Sequence, residues 1–216
     1  AAFPRGGLCG GREEVTAKGW TLDLLIERFN ESENALIAYS LSHPSSGNWG
    51  GGDETYFCML LNKMEKLGDR AALPFLEKKS LMANIPSTVR SRAAEVYVSL
   101  ATAEECAAFL PEILKVGNQT VWTAGWRSGV LPACLRKIDD AIAQGEISDK
   151  TLNLLVEKLL AHTQSLSVPR LADGDMIDRF LIRHCAGYAT SRQRLAMWTE
   201  YLDELGNEAW ENDLRK

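Results

Sequence analysis

Between His43 and Gly52 the chain gathers an imidazole, two hydroxyls (Ser45 and Ser46), an indole (Trp49) and a run of three glycines. An imidazole beside hydroxyls joins a base to a nucleophile type, as an enzyme of unfamiliar type could use them. Glycines ahead of a helix also leave backbone N–H groups open to an anion. Asp53 at that helix start would repel one. The same residues equally describe an ordinary connector whose Trp49 packs back on a neighbouring helix. A second group is Trp122 and Trp126, whose spacing of four would bring both to one face of a short helix. There they plug the core between helices or form a recognition patch for peptide or sugar. The candidate binding residues are therefore His43, Ser46, Trp49, Trp122 and Trp126.

No recognised catalytic motif supports these groups. The chain has no Gly-x-x-x-x-Gly-Lys-Ser/Thr, no His-Glu-x-x-His, no Gly-x-Ser-x-Gly, and no Gly-x-Gly-x-x-Gly after a strand. Three histidines leave few combinations for histidine chemistry. His184 lies on an apolar face and reads as a satisfied core histidine, while His162 near a helix end complements the helix dipole. The five cysteines, at 9, 58, 106, 134 and 185, are dispersed and odd in number, which is no disulfide framework. Cys58, Cys106, Cys134 and Cys185 sit on or beside apolar stripes, as small buried hydrophobes do. Neither Cys-x-x-Cys nor a Cys/His cluster with zinc spacing occurs, so no metal or other cofactor is expected.

The elements that must position these residues read as helices throughout. Thr21 caps a stripe of Leu22, Leu25, Ile26 and Phe29, which resumes in phase at Leu36, Ile37 and Leu41 after a polar patch from Asn30 to Asn34; one long or two short helices fit. The stretch from His43 to Gly52 is a loop. Asp53 then caps a helix with Phe57, Leu60, Leu61, Met64 and Leu67 on one side, stopping at Gly68. Residues from Ala71 to Leu114 follow as two units of short helix, turn and helix.

The first of these units opens on Ala71-Ala72-Leu73-Pro74-Phe75-Leu76, passes a polar Lys78-Lys79 pair and breaks around Asn84-Ile85-Pro86. A proline fixes its own φ and restricts the residue before it, so Pro86 belongs at a helix start, with Ser87 or Asn84 to cap it. The helix beyond buries Val89, Ala93, Val96 and Leu100 and turns Arg90, Arg92 and Glu95 to other faces. In the second unit Thr102 and Glu105 form a capping box ahead of Cys106, Phe109, Leu110 and Ile113. A Leu-Pro pair occurs at Leu73-Pro74, Leu110-Pro111 and Leu131-Pro132.

Residues 71 to 114 resemble HEAT-type repeats. The resemblance is carried by Ala72-Leu73-Pro74-Phe75-Leu76 in a first helix and by Pro86-Ser87-Thr88-Val89-Arg90-Ser91-Arg92-Ala93-Ala94 opening a second, similar to the family's Pro-x-x-Val-Arg-x-x-Ala pattern. Ile85 stands where the family carries an acidic residue. The resemblance implies antiparallel hairpins stacked as a short α-α superhelix, HEAT- or armadillo-like, with an irregular helical bundle as the alternative.

Beyond an irregular stretch from Asn118 to Gly129, Leu131, Leu135, Ile138 and Ile142 make a further helix closed by Gly145. Ser148 caps the next, with Ile147 and Leu152 as a hydrophobic staple and Leu155, Val156, Leu159 and Leu160 along its stripe. Asp175 opens a helix bearing Ile177, Leu181, His184 and Cys185. Thr190 with Gln193 forms another capping box before Leu195, Trp198, Leu202 and Leu205, and Gly206 ends the last helix. No segment alternates with period two, so the class is all-α.

Composition bounds the function classes. A chain of 216 residues with 45% hydrophobic and 25% charged residues can bury a sizeable core. A net charge of −5 without any basic run argues against nucleic-acid binding. No apolar stretch approaches the ~18 residues of a membrane span, so no membrane insertion is expected. Residues 1–19, with a glycine-rich segment from Gly6 to Gly11, read as a flexible tether, and 20–216 as a single all-helical domain. A start at Ala1-Ala2-Phe3 is what signal-peptidase processing or truncation leaves; the expectation leans towards an exported protein, with a cytoplasmic one as the alternative. Periodicity of this kind fits a non-enzymatic interaction module that binds another protein or peptide, in an oligomeric state the sequence does not specify. The rivals are an enzyme with its site around residues 43–53 and a carbohydrate or peptide binder built on the tryptophans. Circular dichroism of the chain is expected to be helix-dominated; a strand content near a quarter of the residues, the ordinary globular share, would reject the all-α class.

Overall fold

The computed structural model describes residues 19–42, 51–117, 129–165 and 173–184. Of these residues 87% are helical, none lies in a strand, and eight α-helices are present. The class is all-α, as a uniform 3.6-residue period demands. The helices fall into two compact units. One holds α1 (Leu22–Ser42), α2 (Gly51–Leu67), α3 (Leu73–Leu81) and α4 (Ser87–Leu100); the other holds most of α5 (Ala103–Gly117), with α6 (Leu131–Gln144), α7 (Asp149–Ser165) and α8 (Asp173–His184).

In the first unit, α1 is one continuous helix. The Thr21 hydroxyl accepts the Leu24 N–H at 3.3 Å, and the polar patch that follows contains neither glycine nor proline to break the ladder. Leu25, Phe29 and Leu36 are buried, and so are Ser32 and Glu33, because they occupy the same three-to-four-residue stripe. Ile37, expected on that stripe, is 40% exposed. Helix α2 begins at Gly51, so two glycines expected in the loop are helical, and Asp53 stands with Glu54 in the first turn instead of capping it. Phe57, Leu60, Leu61 and Met64 are buried; Leu67, the last residue, is 42% exposed instead of joining them. Gly68 ends the helix at φ +67°, a left-handed conformation that costs a residue with a Cβ. Its N–H returns to the Met64 and Glu65 carbonyls at 3.3 and 3.1 Å.

Asp69 caps a 3-10 turn over Arg70–Ala72, its carboxylate accepting the Ala71 N–H at 2.9 Å, and this turn leads into α3 with Pro74 in the first turn. The break before α4 falls where expected, but neither Ser87 nor Asn84 caps it. Pro86 itself occupies the N-cap with φ −52° and ψ 143°, without a side-chain cap bond, and its carbonyl accepts the Arg90 N–H at 3.0 Å. Proline succeeds there because its ring already holds the φ the position needs. Helix α4 packs against both α2 and α3. Arg90 and Ser91 are buried along with Val89, Ala93, Ala94, Val96, Tyr97 and Val98, so Arg90 departs from the polar side, which is left to Thr88, Arg92, Glu95 and Ser99.

In the second unit, α5 buries the expected stripe of Cys106, Phe109, Leu110 and Ile113. Pro111 lies inside α5, whereas Pro74 and Pro132 stand second in α3 and α6. Lacking an N–H, Pro111 gives the Ala107 carbonyl no helical donor. Helix α6 buries Leu131, Cys134, Leu135, Ile138 and Ala141. It closes at Gly145, φ +71°, with the Gly145 N–H on the Ile142 carbonyl at 3.1 Å and the Glu146 N–H on Ala141 at 2.8 Å. Ser148 caps α7 as expected, its hydroxyl accepting the Thr151 N–H at 3.2 Å. Leu155 and Leu159 form the buried stripe of α7, and Leu154 is 50% exposed. Helix α8 starts at Asp173 instead of Asp175, buries Ile177, Phe180 and Leu181, and packs against α6 and α7. The segment 1–18 and everything beyond His184, including the Thr190–Gln193 box and its stripe, lie outside the described residues. No described helix is long and apolar enough to cross a membrane.

The cap of α7 is completed from α5. Glu104 accepts the Ser148 N–H and the Thr151 hydroxyl, both at 2.9 Å, and these bonds hold its carboxyl below the usual glutamate value of 4.5. A carboxyl depressed by folding adds stability above its unfolded pKa and loses it as pH falls through the folded one. The thermal midpoint of Glu104→Gln is therefore expected to lie below that of the parent at pH 7 and to converge with it as acidification protonates the Glu104 carboxyl of the folded chain; a gap that is independent of pH would exclude the carboxylate as its cause.

Candidate functional site

The residues singled out by type and spacing fall outside what the structure describes. His43, Ser45, Ser46 and Trp49 lie in 43–50, and Trp122 and Trp126 in 118–128. What the structure does show is the helix start that the glycine run enters, with Gly51 and Gly52 already helical. With Asp53 and Glu54 in the first turn of α2, its positive dipole end is already answered by negative charge, which disfavours an anion there.

Besides the ties of Glu104 and Glu112 to α7, three polar constellations join helices within one unit. The first joins α1 to α3. Lys79, half of the polar Lys78-Lys79 pair, is buried with its ammonium on Glu33, the two side chains only 4% and 7% exposed. The ammonium lies 5.1 Å from the Phe29 ring centroid and 5.4 Å from that of Phe75. Phe29 meets Phe57 and Phe75 edge-on at 4.5 and 5.2 Å. The rings offer their negative faces to the cation, but only one carboxylate oxygen is engaged; Glu33 Oε1 has no hydrogen-bond partner among the described residues.

The second joins α2 to α4 through Arg92. Its Nε donates to Asn62 Oδ1 at 2.6 Å, one terminal nitrogen to Glu95 at 2.8 Å and the other to Glu65. Burial works against the charge and is outweighed by Glu95 and Glu65, so the guanidinium is held above its ordinary value. Cys58 belongs to the same electrostatic neighbourhood. Burial pushes its thiol up, Arg92 opposes this, and Glu54 and Glu95 reinforce it, so Cys58 is a protonated thiol and a poor nucleophile. Gly129 approaches this group closely: a Cβ on it would stand 3.0 Å from Glu95 Oε1.

The third joins α6 to α8. His184 Nε2 meets Asp139 Oδ1 at 2.6 Å, and Arg183 Nη2 meets Asp139 Oδ2 at 2.9 Å. The imidazole packs on Phe180 at 4.7 Å between centroids. A carboxylate that holds one ring nitrogen orients the imidazole as a general base does, with Nδ1 as the nitrogen that would face a substrate. No described hydroxyl or thiol hydrogen-bonds His184. The reading of His184 as a satisfied histidine on an apolar face agrees with this geometry.

Elsewhere in the second unit, Cys106 and Cys134 are buried free thiols, as their stripes imply. The described residues hold no group of three or more His, Cys, Asp or Glu arranged to bind a metal. Comparison of the chain with protein-family models, with curated proteins and with solved structures finds no match.

Sequence reading misses these partnerships because the partners are 46, 27 and 45 residues apart. A local signal nevertheless exists for the first. Glu33 lies four residues after Phe29 and Lys79 three after Leu76, so both charges stand on apolar stripes, where burial demands a partner of opposite sign. Lys79→Ala is expected to cost about 3 to 5 kcal/mol by stranding Glu33, and the double variant Lys79→Met/Glu33→Leu to recover most of it. Equilibrium urea unfolding measures both; a single variant within about 1 kcal/mol of the parent would show that the pair carries no such weight.

Proposed function

We propose that the chain is a non-enzymatic protein-interaction module, a short HEAT-like array of helical hairpins whose helical surface and end loops bind another protein or peptide. The carrying observation is how the ionisable side chains of the described residues are used. Lys79 and Glu33, Arg92 and Glu65, Glu104 and the start of α7, and Asp139 and His184 each join one helix to another of the same unit. A catalytic site needs such groups converging on an open pocket with capacity to spare. Helices spliced by side chains in this way make a stiff frame, and a stiff frame suits recognition by its surface and loops. The all-helical class and the five-residue connection from Met82 to Pro86 also support stacked hairpins.

One observation favours an enzyme instead. The Asp139–His184 pair holds an imidazole ready for acid–base work, with Nδ1 bonded to no described residue. A carbohydrate or peptide binder built on Trp122 and Trp126 is a variant of the binding reading and is distinguished by the ligand alone.

Trp49 is the anchor proposed for the partner, because an indole set among glycines in sequence presents a large apolar face at small entropic cost. A partner captured from native extract with the wild-type chain, then titrated by calorimetry, is expected to bind Trp49→Ala about 2 kcal/mol more weakly, roughly thirtyfold, with the thermal midpoint unchanged. Loss of several kcal/mol of fold stability in that variant would make Trp49 packing. Turnover of ester or peptide substrates that disappears in His184→Ala or His43→Ala would replace the module with the enzyme.

A further inference from the structure

Cys106 on α5 and Cys134 on α6 are each 0% exposed and neither is in a disulfide. The Cys134 thiol donates to the Cys106 backbone carbonyl at 3.5 Å, so its sulfur reaches the main chain of the other cysteine. The neighbouring Cys106 and burial push the Cys134 thiol well above the ordinary thiol value, and the neighbouring Cys134 holds Cys106 below it. Two small buried hydrophobes need only share a core; a thiol aimed at the main chain of the other cysteine goes further, because it brings the two residues into the close neighbourhood that a disulfide needs.

We infer that Cys106 and Cys134 are a dithiol pair that closes to a disulfide in the presence of a low-molecular-weight disulfide such as glutathione disulfide, clamping α5 to α6. Once α5 and α6 part, Cys106 gives its proton to solvent base and its thiolate attacks one sulfur of the glutathione disulfide; that S–S bond breaks and one glutathione thiolate leaves. Cys134 gives its proton to solvent base and attacks the Cys106 sulfur, and the second glutathione leaves. Two protein thiols are oxidised and one glutathione disulfide is reduced to two glutathione molecules. Burial sets the timing. A reagent reaches Cys106 only when α5 and α6 part, so the bond forms during folding or local opening and not on the closed unit. Cys58, more accessible but held protonated, competes poorly as a nucleophile.

The position of the pair gives the clamp its consequence. The cysteines are 28 residues apart in sequence and lie on successive described helices, so the bond closes a loop and restrains the unfolded chain. An oxidising compartment would hold this clamp shut and a reducing one would hold it open.

Peptide mapping of the full chain tests the inference. The reduced protein is unfolded, refolded in a glutathione redox buffer, alkylated and cut with trypsin. Cleavage after Arg92, Lys115, Arg127 and Arg136 puts Cys106 in 93–115 and Cys134 in 128–136, one cysteine in each. The expected product is 93–115 linked to 128–136, dominant over every other pairing and released by dithiothreitol. Its formation should raise the thermal midpoint above that of the reduced chain. Recovery of both cysteines alkylated after refolding would overturn the inference, as would Cys106 or Cys134 joined mainly to Cys9, Cys58 or Cys185. A linked pair that lowers the midpoint would also overturn it, since the native packing of α5 on α6 would then not accommodate the bond. In Cys134→Ser, Cys106 should be recovered as the mixed disulfide with glutathione. The wild-type map decides without that variant, so the test holds even where Cys134→Ser fails to fold.

Discussion

The buried ion pair between Lys79 and Glu33 constrains the first unit more than any other single contact. A charge moved into a protein interior loses hydration worth several kcal/mol, and only a close partner of opposite sign offsets that cost. The pairing therefore holds α1 and α3 in one register. A slide of either helix by one turn, about 5.4 Å, would leave an ammonium or a carboxylate alone among phenylalanines. Phe29, Phe57 and Phe75 close around the pair from three helices, so the electrostatic constraint and the aromatic packing select the same arrangement. With α1 and α3 set, α4 lies between α2 and α3 and buries side chains on most of its circumference.

Polar ties recur through both units, and their weight follows their exposure. Arg92 is a partly screened version of the same device, with side chains between 24% and 36% exposed in its pair with Glu65. The bridge from Lys158 to Glu112 lies at 3.6 Å with both side chains more than a third exposed, so solvent leaves it worth at most about 1 kcal/mol. Glu104 stabilises the start of α7 by hydrogen bonding more than by Coulomb attraction, because its acceptors meet one backbone N–H and one hydroxyl. These ties join helices remote in sequence, and they make each unit a frame in which ionisable groups have structural work. A frame of that kind is consistent with binding by surface and loops. Among the described residues, the Asp139–His184 pair is a group whose geometry would also serve chemistry.

The legible part of the molecule is the part governed by local rules. Gly68, Gly145, Ser148 and Thr21 act at helix ends as their types imply, because a left-handed turn or a free N–H is satisfied within a few residues. Departures cluster where a local rule meets a tertiary neighbour. Periodicity puts Arg90 in water because one helix alone has an outer face, and α4 has neighbours on both sides. Residue type makes Ser87 and Asn84 caps because hydroxyls and amides usually do that work, yet the fixed ring of Pro86 already supplies the geometry. Type also assigns Ile37 and Leu67 to buried stripes, but their helices turn those positions away from the packed side.

By itself the sequence determined the helical class, most helix termini and the buried stripes, since each follows from side-chain spacing at 3.6 residues per turn and from the φ that glycine and proline allow. It could not determine which stripe meets which. Only the tertiary structure decided that Glu33 finds Lys79, that Arg92 finds Glu65, that Asp139 finds His184 and that Cys134 reaches Cys106. Those partners lie between 27 and 46 residues apart, far beyond any local period. The physical reason is that a helix states its own buried face through periodicity, whereas the identity of the face that covers it is a property of two helices at once, settled by shape and by the demand that buried charge be matched.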